Sequence, residues 1–198
     1  MFAQIRPAIV ATLFFTLLLG VIYPLAITGI AQVAFPAQAG GSLIRDAQGQ
    51  VIGSSLIAQN FTKPQYLHPR PSAAGNDGYD PTSSGGSNLG PLNPDLAKRI
   101  AKDTAGLQGD GPGPVPADAV TTSGSGLDPD ISPANANRQA ARVAAARGIP
   151  ISEVERAIAA NTTGAWLGIF GQPHVNVLKT NLALDAAAPP VRSAPPAS

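Results

Sequence analysis

Between Arg6 and Arg45 the chain carries no Asp, Glu, Lys or Arg. Most of that interval, from Ala8 to Ala31, is apolar, and nothing like it occurs again. A helix over these residues rises about 36 Å, enough to cross a hydrocarbon core of ~30 Å with some tilt. An apolar run this long with no polar face exceeds what a domain of this size can surround as a core helix. A secretory signal is the rival reading, because Ala37-Gln38-Ala39 has the form of a cleavage site. The apolar part of a signal is typically ~7–15 residues, much shorter than this one. The expected organisation is therefore a short flank over 1–7 and a transmembrane helix over 8–31. A soluble domain over 40–185 and a Pro-rich, disordered tail over 186–198 follow.

Within the apolar run, Thr16, Gly20, Thr28 and Gly29 are small, and Pro24 interrupts the pattern. Small residues let helices approach closely in lipid, and a proline is tolerated where neighbours satisfy the freed carbonyl. The span is expected to pack against other spans. Arg6 and the amino terminus flank one end, whereas Arg45 and Asp46 cancel at the other. The positive-inside bias places the amino terminus in the cytoplasm and the soluble domain outside.

Charged residues make up 13% of the 198, and the net charge is +1. With no basic stripe and few aromatics, a nucleic-acid partner is not expected. The absence of cysteine excludes disulfides and thiolate metal sites.

The soluble part reads as mixed α+β. Leu43 to Arg45 and Gln50 to Ile52 flank Asp46-Ala47-Gln48-Gly49 as a β-hairpin would. Asn60 to Gly90 is a long loop dense in Pro, Gly, Ser and Asn. Asn93 and Pro94 start a helix through Thr104, closed by Gly106. Gln108 to Pro116 reads as a linker and the least constrained part of the domain. Ser132, Pro133 and Gly148 bracket a helix with an apolar stripe of Ala136, Ala140, Val143 and Ala144. Arg138 and Arg142 fall on its polar side, with Gln139 in reach of Arg142. After Pro150, Ser152 and Glu155 have capping-box spacing. Val175, Asn176 and Val177 alternate like a strand running on to Leu184.

Catalytic constellations are missing from the sequence. His68 and His174 have no neighbours at metal-ligand spacing, so no metal site is expected. Asp128, Asp130 and Ser132 imitate the start of a calcium loop. Pro133 stands where that loop needs Gly, and Gln139 where it needs Glu. Neither a G-x-S-x-G elbow nor a Walker-type phosphate loop occurs. Asp103-Thr104-Ala105-Gly106 lacks the lysine of a phosphorylated-aspartate motif. Two segments remain. The first runs from Tyr66 through His68, Arg70 and Ser72 to Ser84-Gly85-Gly86-Ser87-Asn88. The second is Ser123-Gly124-Ser125-Gly126, which leads toward the helix opened by Ser132. A Gly/Ser loop before a helix N-terminus suits an anion, and turns that shape a rigid docking surface fit the same residues equally well.

On these segments the sequence resembles the C-subunit family of the Kdp potassium-transporting P-type ATPase. The resemblance extends over nearly the whole chain. It rests on Arg6-Pro7, Tyr23-Pro24, Gly41 to Arg45, Gln59-Asn60-Phe61, His68 to Ser72, Ser84 to Leu89, Ser125 to Asp128, Arg142-Val143-Ala144, Val175 to Val177 and Asn181 to Leu184. The linker near Gly109–Pro116 and the Pro-rich tail depart from it.

The resemblance implies an accessory subunit, not catalytic alone, of an ATP-driven potassium-uptake complex in the inner membrane. Its implied partners are a channel-like potassium-translocating subunit, a P-type ATP-hydrolysing subunit, a small single-span subunit and the bilayer. It also implies a chaperone role, raising the ATP affinity of the P-type subunit, with ATP contacted through Ser123, Gly124, Ser125, Gly126 and Gln139. A domain outside the membrane cannot reach cytoplasmic ATP. The alternative is an extracytoplasmic domain over the potassium entrance with no nucleotide contact. Tyr66, His68, Arg70, Ser84, Gly85, Gly86, Ser87 and Asn88 would then form the subunit contact. An exported globular binding protein, cleaved after Ala39, is the third reading.

Overall fold

The computed structural model of the protein describes residues 2–187 and divides into two compact units, one up to Ser54 and one from Ser55 onward. In the first unit, the turn Phe2–Gln4 leads into helix α1, Ile5–Ala34. Its thirty residues rise about 45 Å, and it extends beyond the 8–31 core at both ends. None of α1 is buried within the chain, and its large apolar side chains point outward along its full length. That is the pattern of a helix whose solvent is hydrocarbon.

Pro24 leaves a visible mark on α1. The stretch Leu18–Ile22 widens into a π-helical turn in which the Tyr23 N–H donates to the Leu18 carbonyl. In a regular helix the Pro24 ring would press on the Gly20 carbonyl; the wider turn relieves that collision. The helix ends at Phe35, whose extended φ of −139° suits a residue before proline. After the single turn Pro36–Ala39, strands β1 (Leu43–Arg45) and β2 (Val51–Ser54) form the expected antiparallel hairpin. Asp46 ties its turn by accepting from the N–H groups of Gln48 and Gln50 at 3.0 and 2.8 Å.

The second unit is a small antiparallel sheet against a helical layer. Helix α2 (Pro94–Leu107) is capped by the Asn93 side chain. Contrary to expectation, Gly106 does not close it, and the helix runs one residue past. The short α3 (Ala117–Val120) and strand β3 (Asp130–Ile131) lead to α4 (Pro133–Arg147). There Ser132 caps the start, and Gly148, at φ +68°, ends the helix as predicted. Helix α5 (Ile151–Ala160) is preceded by Pro150 with no side-chain cap, so Ser152 and Glu155 form no capping box. Ser152 lies inside the first turn rather than before it.

Strand β5 (His174–Asn176) lies between β3 and β4 (Thr162–Thr163), antiparallel to both. The chain does not continue as a strand to Leu184. Asn176 accepts from the Lys179 N–H at 3.1 Å and starts helix α6, Val177–Ala187. Ala186 and Ala187 end that helix, and the rest of the expected Pro-rich tail lies outside the described residues.

The core is formed by the α4 stripe Ala136, Ala140, Val143 and Ala144. It meets Val154 and Ile158 of α5, Val175, Leu184, and the buried Leu67 of the long loop. Alanines on α4 let its neighbours approach closely. The same closeness buries Arg138, which is only 6% exposed rather than lying on a solvated face. Its guanidinium donates to the Leu107 carbonyl at 2.7 Å, where the negative end of the α2 dipole lies, and to the Pro112 and Gly113 carbonyls at 3.0 and 2.7 Å. The segment from Gln108 to Pro116 is therefore anchored, not a free linker. Arg138→Leu should cost about 2–4 kcal/mol by orphaning these carbonyls. Urea unfolding of the full chain in detergent, with faster proteolytic cleavage between Leu107 and Pro116, checks this.

Candidate functional site

The long loop from Asn60 to Gly90 has no regular secondary structure, yet its backbone is bonded group by group to side chains of α4 and α6. Leu67 donates to Asn181 Oδ1 at 2.8 Å and accepts from Asn181 Nδ2 at 3.0 Å. The next residue does the same with Gln139: His68 N–H donates to Oε1 at 2.8 Å, and its carbonyl accepts from Nε2 at 3.2 Å. Two side-chain amides thus stand in for the neighbouring strand of a sheet. Arg142 donates to the Pro64 and Tyr66 carbonyls at 2.7 and 3.1 Å, and Arg147 Nε to the Gln65 carbonyl at 2.7 Å.

The charges of this clamp are neutralised locally. Arg142 pairs with Asp110 at 3.2 Å. Arg147, whose side chain is fully buried, pairs with Asp185 at 2.7 Å and stacks its guanidinium 5.2 Å from the centre of the Tyr66 ring. Tyr66 Oη donates to Asp185 at 3.2 Å. Burial, and after it the Asp185 charge, pushes the Tyr66 phenol above its usual range. Arg70 reaches Asp128 at 3.0 Å across a cleft of about 550 Å³ that Asp118, Asp130 and His174 also line.

The second half of the loop meets the Ser-Gly stretch. Gly85 N–H and Ser84 Oγ both donate to the Ser125 carbonyl at 2.9 Å. Ser72 Oγ donates to the Gly126 carbonyl at 2.6 Å and accepts from the Tyr79 N–H at 2.8 Å. Gly126 has φ +68°, and a Cβ there would meet the Gly85 carbonyl at 2.6 Å and Ala74 at 2.8 Å. The backbones touch because Gly126 carries no side chain; at Gly85 a Cβ would meet no atom within 4 Å. Gly86 likewise packs on Ser123 and Gly124. Sequence reasoning singled out both segments without indicating that they close on each other.

Tyr66, His68, Arg70, Gly85, Gly86 and Ser87 are half-buried, while Ser84 and Asn88 are exposed. Asn88 has φ +53°, a conformation asparagine tolerates better than most residues. The loop pair is thus a stitched surface with an exposed rim.

A triphosphate would need free donors at Ser123–Gly126 and an open helix N-terminus. Ser123 is buried, Gly126 N–H donates back to the Ser123 carbonyl, and Leu127 N–H donates to Ser125 Oγ. The start of α4 already holds a carboxylate. Asp118 accepts from Ser132 N–H at 2.8 Å, Ser132 Oγ at 2.9 Å and Asn135 Nδ2 at 3.1 Å. Gln139 also accepts from Arg142 at 2.7 Å and donates to Asn135 at 3.0 Å, so its amide is fully engaged. Ser123, Gly126 and Gln139 thus lie buried or spend polar groups on the chain itself, while Gly124 and Ser125 are exposed. These residues are brought together as struts, with Gln139 on the Leu67–His68 clamp and the Ser-Gly stretch on the Ser84–Gly86 crossing. Among the described residues no group of His, Cys, Asp or Glu is placed to hold a metal ion.

Two predictions follow from this geometry. Gly126→Ala should destabilise the chain by about 2–4 kcal/mol, from the αL penalty plus the clash. Gly124→Ala, with no atom near its new methyl, should be almost neutral; urea midpoints of the two variants test the contrast. His68 is held below its ordinary 6.5, mainly by burial and next by the Arg142 charge. Below that value the unfolded chain binds a proton that the folded chain refuses, so stability should fall on acidification from about pH 7 to about pH 5. His68→Gln should flatten that slope in unfolding curves at the two pH values.

The family model described as "K+-transporting ATPase, c chain" matches residues 5–186. Three relatives, each described as a potassium-transporting ATPase KdpC subunit, align along nearly their whole length. That of Caulobacter sp. is 60% identical over 190 residues, 96% of each chain. That of Beijerinckia indica subsp. indica is 59% identical over 192 residues, also 96% of each. That of Geobacter sulfurreducens is 50% identical over 187 residues, covering 94% of this chain and 99% of the relative. With one apolar N-terminal helix ahead of a compact α+β domain, and matched from end to end of that arrangement, the chain belongs to the KdpC family of potassium-transporting ATPase subunits.

Proposed function

We propose that the chain acts as a non-catalytic accessory subunit that stabilises its complex through protein contacts. In this reading, α1 packs against the spans of neighbouring subunits in the inner membrane. The domain lies on the outer face, directed there by Arg6 at the cytoplasmic end. The stitched loops Tyr66–Ser72 and Ser84–Asn88 dock on the channel-like subunit around the potassium entrance. The P-type subunit performs ATP hydrolysis, and the small single-span subunit is a neighbour of α1 in the bilayer.

The observation that carries this reading is the direction of the polar groups. Gln139, Asn181, Arg142 and Ser72 turn their donors and acceptors onto the chain's own loops. This rigidifies a surface before it meets a partner, and rigidity lowers the entropy cost of docking. Raising the P-type subunit's ATP affinity through Ser123–Gly126 and Gln139 would instead require these groups to be released.

The test has two arms. Protease added to sealed vesicles of known orientation should digest the domain from the outer face only. Ser84→Lys and Asn88→Lys, on the exposed rim, should lower the complex's apparent potassium affinity about fivefold or more, the equivalent of losing ~1 kcal/mol at a contact. Digestion from the cytoplasmic face, together with a weaker apparent ATP affinity in Ser125→Ala, would replace this reading with the nucleotide one. Unchanged assembly and potassium affinity in both lysine variants would remove the loops from the interface.

A further inference from the structure

Between α5 and β5 the chain makes an excursion that the ion-pair and clamp chemistry leaves untouched. From Ala157 to Leu178 there is no Asp, Glu, Lys or Arg. Within this stretch Trp166, Leu167, Ile169 and Phe170 are 69%, 71%, 76% and 57% exposed. In a domain whose other apolar side chains largely form one core, four adjacent large ones facing outward form a patch with a purpose.

The excursion is a closed hairpin tip. Trp166 N–H donates to the Phe170 carbonyl at 2.8 Å, and Phe170 N–H to the Trp166 carbonyl at 2.9 Å. Gly168 N–H donates to Ala165 at 3.0 Å and Ile169 N–H to Trp166 at 3.2 Å. The Trp166 and Phe170 rings lie 5.7 Å apart on one side. Leu167 sits at φ +52°, followed by Gly168 at +76°. A turn in water would place Asn or Gly at the first of these positions; here a strained backbone holds a leucine at the apex.

We propose that this tip, Trp166–Phe170, inserts into the interfacial layer of the bilayer that α1 crosses. Three features select lipid over a protein partner. The tip has no charge and no hydrogen-bonding side chain except the indole N–H, whereas protein interfaces carry a polar rim. The N–H groups of Trp166, Gly168, Ile169 and Phe170 are paired with nearby carbonyls, which lowers the cost of entering lipid. Tryptophan beside phenylalanine, leucine and isoleucine is the composition that settles at the headgroup boundary. The inference holds for either orientation of α1, because both leaflets have an interface.

Trp166 is the sole tryptophan of the chain, which makes the experiment direct. The full chain is reconstituted in phosphatidylcholine/phosphatidylglycerol vesicles, with and without lipids brominated on the upper acyl chain. Trp166 emission should be blue-shifted, lost in brominated vesicles, and shielded from aqueous iodide. The double variant Leu167→Ser/Ile169→Ser keeps the fluorophore and the fold, since neither side chain is buried. It should regain iodide quenching and escape bromine quenching, with its circular dichroism unchanged. Emission typical of water, open to iodide and indifferent to brominated lipid, would overturn the proposal. So would iodide shielding that appears only when the partner subunits are co-reconstituted, an outcome that assigns the tip to a subunit contact.

Discussion

Everything in the second unit depends on a stretch of backbone that belongs to no sheet. Pro64 to His68 crosses the core edge with Leu67 fully buried, and a buried peptide without partners is costly. The chain answers with side chains: the Asn181 and Gln139 amides each match one residue's N–H and C=O, and two arginines bind the carbonyls before them. Helices α4 and α6 therefore present long polar groups where a simple packed helix would present leucine.

The same logic governs the cations of α4. The terminal nitrogens of Arg138 bind carbonyls at and just beyond a helix C-terminus, Arg147 binds a carboxylate and an aromatic face, and the half-buried Arg142 pairs with Asp110. Asp118 is the counterpart for the α4 N-terminus. These groups face the chain's own backbone, which firms the surface that the loops form.

Much of this was legible in residue patterns acting over a few positions. The charge-free run became α1, Asp46 and Gly49 made the hairpin turn, and Ser132 with Gly148 bracketed α4. Local rules misled where a second local rule competed. Val175-Asn176-Val177 alternates like a strand, but Asn176 is also an N-cap, and the cap won because the following residues bury Leu178 and Leu184 on a helical face. Ser152 and Glu155 have capping-box spacing, but Pro150 had already set the first turn. Spacing alone did not reveal that Gln139 grips His68 or that Gly126 lies against Gly85. The exposure of the Trp166–Phe170 tip is not legible in the sequence, because four large apolar residues around Gly168 fit a core segment as well as a surface one.

The sequence by itself determined that one segment belongs in hydrocarbon, that no thiol chemistry exists, and where α4 begins and ends. These depend on transfer free energies and on caps within one turn. The tertiary structure alone decided which polar groups remain available. A hydrogen-bond donor on Gln139 or Arg138 is the same atom whether it faces solvent or a carbonyl dozens of residues away, and only packing brings that carbonyl within reach.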